Sequence, residues 1–248
     1  MLINTSLSYF GYCKDCDAVH SLPSSQAMAH CVTLMEKLRA HGRIDWDMPI
    51  ENANPRLNTA FMYSEMRGKM LGVLVCVNAL GLEVILRAFS SKFNGVLNVP
   101  GWAPPLMDEA KFNATMAAGN LAIHPLTDHI LTLDKGSEAW FLKVAERKAV
   151  SRRVLAELED HYEVQNFKHE NRTLADSYQL KRRMPVGTGD CCAPKLLNHA
   201  ARNNLKPIAL AEFFWGKETA SGGRVEGEFY SSCVDKCQPL LGFMLCGL

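Results

Sequence analysis

Apolar residues recur at three-to-four spacing from Ser24 to Arg39, where Met28, Cys31, Leu34, Met35 and Leu38 share one face. That spacing predicts a helix, and His41-Gly42 ends it. From Ile44 to Leu57 two prolines stand among Asn and Asp, which predicts loop. After Arg67 the pattern changes. Met70 to Val77 is a continuous apolar run rich in Val and Leu, as expected of a strand covered on both faces. Asn78 to Gly81 turns the chain, and Glu83 to Phe89 completes a hairpin. Asn94 to Pro105 is dense in Gly and Pro, an extended loop whose Trp102 needs an apolar surface for its ring. Residues 107–180 read as helices. The clearest runs from Glu138 to Gln165, with Phe141, Val144, Ser151, Leu155, Leu158 and Tyr162 along one side. From Met184 a Pro/Gly lead-in reaches Asp190, Cys191 and Cys192 and then a helical run. Pro207 to Trp215 predicts one buried strand, and Cys233 and Cys237 open a second apolar helix.

The chain then divides into an N-terminal helical and loop segment (1–66), a hairpin with its Pro/Gly loop (67–105), a helical insertion (106–183) and a cysteine-bearing helix-strand-helix (184–248). Without the insertion the order is strand, strand, helix, strand, helix. This predicts an α/β fold with a deaminase-like three-layer core. With 248 residues, 48% of them hydrophobic, the chain can bury one sizeable core or two small ones. A net charge of +1 gives no global field toward nucleic acid or membrane. The sequence has no run of the roughly 18 apolar residues that a membrane span needs, and no basic-then-apolar leader opens it. Nine cysteines in such a chain point to thiols and metal ligands and away from a disulfide framework, and the expected location is cytoplasmic.

A cysteine at a helix start, a strand, and a cysteine pair at the next helix start is the order used by zinc-dependent nucleobase deaminases. Their chemistry needs three soft or imidazole ligands, a water in the fourth position and a carboxylate to carry the proton. Cys191, Cys192, Cys233 and Cys237 are the candidate ligands. Cys233 and Cys237 would share one face as an i, i+4 pair on a helix. The fourth position falls to water, His199 or Glu212. The plainer alternative is that Cys192 and Cys237 are buried small hydrophobes. The deaminase motif reads Cys-Ala-Glu-Pro; here it reads Cys-Cys-Ala-Pro, so Ala193 occupies the glutamate position. Asp190 and Glu212 are the candidate substitutes, although Asp190 also suits the N-cap of its helix and Glu212 lies in a very apolar strand.

The stretches G-T-G-D-C-C-A-P-K-L-L, L-K-P-I-A-L-A-E-F-F-W-G and F-Y-S-S-C-V-D-K-C-Q-P-L-L-G-F-M-L resemble the N-terminal extension of some bacterial RluA-type pseudouridine synthases and related stand-alone proteins. So do R-G-K-M-L-G-V-L-V and L-R-A-F-S-S-K-F-N-G upstream. The likeness spans roughly two thirds of the chain and implies association with RNA modification. No H-R-L-D type motif is present, so the chain is not expected to be a pseudouridine synthase itself.

Two further groups have candidate chemistry. Cys13 and Cys16, with His20, His30 and Cys31 nearby, could form a second zinc site. Arg147, Arg152 and Arg153, with Lys181, Arg182 and Arg183, could contact an RNA backbone, although the interleaved Glu146, Glu157 and Glu159 favour an ordinary charged helix face.

Overall fold

The computed structural model describes residues 7–180 and 182–248, and its contacts divide the chain into two compact units. The larger unit opens with an antiparallel ribbon of β1 (Ser8–Cys13) and β2 (Ala18–Pro23). Residues 8–23 thus supply two strands where the sequence reads as part of a helical and loop segment. Tyr9, Gly11 and Cys13 alternate inward with Phe10 and Tyr12 facing out. The helix α1 (Ser25–His41) follows and ends at Gly42, whose φ of 62° places it in the left-handed region that glycine tolerates.

The central sheet is antiparallel throughout. It contains β3 (Lys69–Val77) and β4 (Glu83–Phe89), joined later by β7 (Lys206–Trp215) and β8 (Phe229–Tyr230) in the order β4-β3-β7-β8. After β4, Trp102 places its ring 5.6 Å from that of Phe89 and donates its indole N–H to the Ile44 carbonyl at 3.0 Å.

The smaller unit, residues 107–163 and 173–175, is a helical hairpin of α2 (Glu109–Thr132) and α3 (Glu138–Glu159). Asp108 and Ser137 cap the two N-termini. The insertion is therefore narrower than 106–183. The helix expected to reach Gln165 stops at Glu159, because the chain there turns into a ribbon of β5 (Glu163–Gln165) and β6 (Asn171–Thr173). Leu158 alone of α3 is buried, and Phe141, assigned to the apolar side by its spacing, is 60% exposed.

The short α4 (Leu174–Ser177) then leads to α5 (Cys192–Arg202), β7 (Lys206–Trp215), β8 (Phe229–Tyr230) and α6 (Gln238–Met244). Strand periodicity splits β3 and β7 between two faces. Leu71, Val73, Val75, Ala209, Ala211, Phe213 and Trp215 pack with Met28, Cys31, Leu34, Met35 and Leu38 of α1. The alternate positions meet α5: Gly72 lies under Cys192, and Glu212 under Ala193. Helices cover both faces, which accounts for the uninterrupted apolar run of β3. The register between β3 and β7 shifts after Val75, where Pro207 has no N–H to give the ladder.

The helix α6 crosses β1 backbone to backbone. A Cβ on Gly242 would come 1.8 Å from the Tyr12 carbonyl oxygen, and one on Gly11 2.2 Å from the Gly242 nitrogen. Neither obstacle is a flexible side chain. Gly242→Ala is therefore expected to cost about 3 kcal/mol, the upper part of the overpacking range, seen as a thermal midpoint roughly 6–12 °C lower.

Candidate metal centre

The lead-in to α5 is a tight loop in which Gly187 and Gly189 take φ of 78° and 85°. Ser91 donates its N–H to the Asp190 carbonyl at 2.7 Å and ties the loop to the end of β4. Cys191 follows as the N-cap of α5 in extended conformation, with no cap bond from its own side chain. On the other side, Cys233 and Cys237 bracket a turn ahead of α6, with the Cys237 and Gln238 N–H groups bonded to the Cys233 carbonyl at 3.2 and 3.1 Å. One helical-type turn, closed by the Cys237 N–H on the Cys233 carbonyl, thus places the two cysteines four residues apart ahead of the helix proper. Pro239 sits in the first turn of α6, and the helix starts only at Gln238.

These elements bring Cys191, Cys233 and Cys237 together with their sulfurs within 4.8 Å of one another, Cys191 and Cys233 at 3.6 Å. Two thiolates on one tetrahedral zinc at about 2.3 Å each stand roughly 3.8 Å apart, so the spacing fits such an ion. Thiol protons from Cys191 and Cys237 hold the Cys233 sulfur well below the ordinary thiol range despite burial, helped by the backbone N–H groups of Cys237 and Lys236. The Cys191 thiol is driven up by its bond to Cys233. Thiols must lose their protons to bind a metal, and this cluster already favours the deprotonated form at one of its three sulfurs. Beside it, the buried Ser232 Oγ has no hydrogen-bond partner among the described residues.

The strand between the two helix starts supplies Glu212, which is 3% exposed. Its carboxylate accepts the Ala193 N–H at 2.6 Å and also takes the Cys192 N–H. Burial pushes the Glu212 carboxyl up to about 7, against those two amides. The Tyr9 hydroxyl accepts the Glu212 N–H at 2.7 Å and donates to the Tyr230 carbonyl at 2.8 Å, tying β1 to both β7 and β8. Lys195 of α5 is buried and donates to the Phe89 and Ser91 carbonyls at 2.9 Å each, clamping α5 to the end of β4.

Four expectations are corrected by this geometry. Cys192 does not join the sulfurs: it is fully buried on the sheet and donates to the Met70 carbonyl at 3.4 Å. Asp190 is not the N-cap; that position belongs to Cys191, and the first amides of α5 go to Glu212. His199 faces Asn203 at the far end of α5 and stands outside the thiol group. In the second cluster Cys246 replaces His30 and Cys31: His30 faces Glu83 at 3.6 Å, and Cys31 donates to the Ala211 carbonyl.

The basic candidates are scattered. On α3, Arg147 donates to Thr127 at 3.0 Å, Arg153 stands 3.9 Å from Glu157, and Arg152 is exposed. In the larger unit Arg182 pairs with Asp235, within the turn between Cys233 and Cys237, while Arg183 is exposed. Lys181 lies outside the described residues. The Cys233–Cys237 turn is further held by the Tyr178 hydroxyl on the Asp235 carbonyl at 2.6 Å and by Lys236 on the Val186 carbonyl at 2.9 Å. Against the turn lies a hollow of about 330 Å³ whose walls include Phe10, Tyr12, Val19, Leu180 and Val234.

Tyr9, Lys195 and Cys246 have no signal in the sequence. Each works through a partner more than a hundred residues away, beyond any local pattern. No helix among the described residues is long and apolar enough to cross a membrane. No family model, curated protein or solved structure matches the chain.

Proposed function

We propose that Cys191, Cys233 and Cys237 hold a zinc ion at an open three-thiolate site, and that the protein is a deaminase-like hydrolase acting on a nucleobase, free or within RNA. One observation carries this reading: the Glu212 carboxylate lies 2.6 Å from the backbone amide of Ala193. Ala193 stands where the deaminase motif has its glutamate, and a neighbouring strand delivers a carboxylate to that same helical turn. Zinc in this position would supply Lewis-acid activation of a water.

The residues of the chain supply the rest. Glu212 has an acidity near neutral pH, as a group that must both take and return a proton requires. Tyr9 and the amides of Cys192 and Ala193 hold its position. Three protein sulfurs leave a tetrahedral ion one place for a reacting molecule. Cys191 and Cys233 are half-buried and Cys237 is buried, so the cluster lies near the surface on the side of the first two. The hollow beside the Cys233–Cys237 turn offers Phe10 and Tyr12 as aromatic faces for a base. The likeness to extensions of pseudouridine synthases favours an RNA context.

The second reading is a non-catalytic RNA-binding or scaffolding module with structural zinc. It is favoured by the near-complete burial of Glu212, whose oxygen is already engaged by α5. Zinc-loaded protein incubated with cytosine- and adenine-containing nucleosides and RNA oligonucleotides separates the two. Release of ammonia from at least one member is the expected result; none across the panel, with zinc confirmed in place, leaves the structural module.

A further inference from the structure

A second cluster of soft ligands stands apart from the three thiols. Cys13 closes β1, Cys16 lies in the turn that follows, His20 is on β2, and Cys246 comes just after α6. One ligand atom from each lies within 4.8 Å of all the others. The Cys16 sulfur is 3.0 Å from His20 Nε2 and 3.3 Å from the Cys246 sulfur. We infer that Cys13, Cys16, His20 and Cys246 bind a second zinc ion in a closed, structural site that clamps α6 to the first hairpin.

The donor set argues for this ion. Three sulfurs and one imidazole fill all four positions of tetrahedral zinc, leaving none for substrate. The spacing C-x-x-C in a hairpin turn suits chelation because the backbone amides of Asp15 and Cys16 point at the Cys13 sulfur. Three thiolates and a neutral imidazole around a divalent ion carry one net negative charge. Lys168 brings the compensating positive charge by hydrogen bonding to Cys246. The surroundings hold the ligands in place, as metal sites require. Arg172 pairs with Asp15 at 2.9 Å, fixing the turn, and Phe167 donates its N–H to the Cys246 carbonyl at 2.9 Å.

Position in the fold gives the clamp a purpose. The seven-residue α6 has Cys237 at its N-cap and Cys246 just past its end. An isolated helix of that length is unstable in water. Its Gly242 touches β1 between Tyr9, which holds Glu212, and Cys13. A metal at the far end of both elements therefore sets the near end, where the three-thiol site lies.

The test counts metal in freshly purified full-length protein by elemental analysis. Two zinc equivalents per chain are expected, falling to one in Cys16→Ala and to one in Cys233→Ser. Cys16 is exposed, so its alanine variant disturbs packing least. Because a variant can fail to fold, alkylation of native wild-type protein gives an independent measurement: Cys16 should resist modification until a chelator is added. Unchanged zinc in Cys16→Ala, equal Cys16 labelling with and without chelator, or a Cys16–Cys246 disulfide before any chelation would each overturn the site. This outcome is independent of catalysis, since the Cys16→Ala count does not depend on the three-thiol site being an active one.

Discussion

Glu212→Gln is expected to abolish nearly all ammonia release, by two to four orders of magnitude, while zinc content stays unchanged. Glutamine keeps the shape of the side chain and an oxygen for the Ala193 N–H, but cannot carry a proton. General acid-base groups contribute on that scale. The same variant has a signature that needs no substrate. The Glu212 carboxyl sits at about 7 in the folded protein, above its ordinary 4.5. Between those values the folded state keeps a proton that the unfolded state has released, so metal-free wild-type protein loses stability as pH rises through the window. The full loss is on the order of 3 kcal/mol. Denaturant melts from pH 4 to 8 should show that slope in wild type and a flatter line in Glu212→Gln. A variant as active as wild type would remove Glu212 from the chemistry.

The second large effect concerns the sulfurs themselves. Cys233→Ser should lose the ion of the three-thiol site, because Cys233 supplies one of the three sulfurs that lie within 4.8 Å of one another. Removing an outer-shell partner of a metal commonly costs about 10–100-fold in affinity, and losing a ligand costs more. Cys191→Ser and Cys237→Ser should behave alike. Cys192→Ser is the control: its side chain faces the Met70 carbonyl, so it should keep the zinc and lose only packing. Elemental analysis of the four variants reads the result directly. Retention of full zinc by Cys233→Ser would dissolve the site.

The two adjacent cysteines show how far local sequence reaches. Cys191 and Cys192 look equivalent in the chain, yet one is an extended N-cap facing the thiols and the next is the first helical residue turned onto the sheet. Successive residues at a helix start diverge in direction, and only the docking of α5 on Gly72 decides which one faces the site. Asp190 and Glu212 make the same point. A carboxylate before a helix suits a cap on sequence grounds, but the amides were taken by one from the neighbouring strand. The opposite outcome holds for β3, β7 and α1. Their apolar periodicity leaves only one way to bury each face, so their bounds could be read closely from the chain.

By itself the sequence determined the central hairpin and the strand between the cysteine-bearing segments, because hydrophobic period is a local property, and it offered Cys191, Cys192, Cys233 and Cys237 as ligands without choosing between the first two. Tertiary structure alone decided that Glu212 reaches Ala193, that Cys192 turns away, and that Cys246 meets a turn 230 residues earlier in the chain. Those contacts depend on how elements pack across the sheet, and no pattern within any one element encodes a partner that distant.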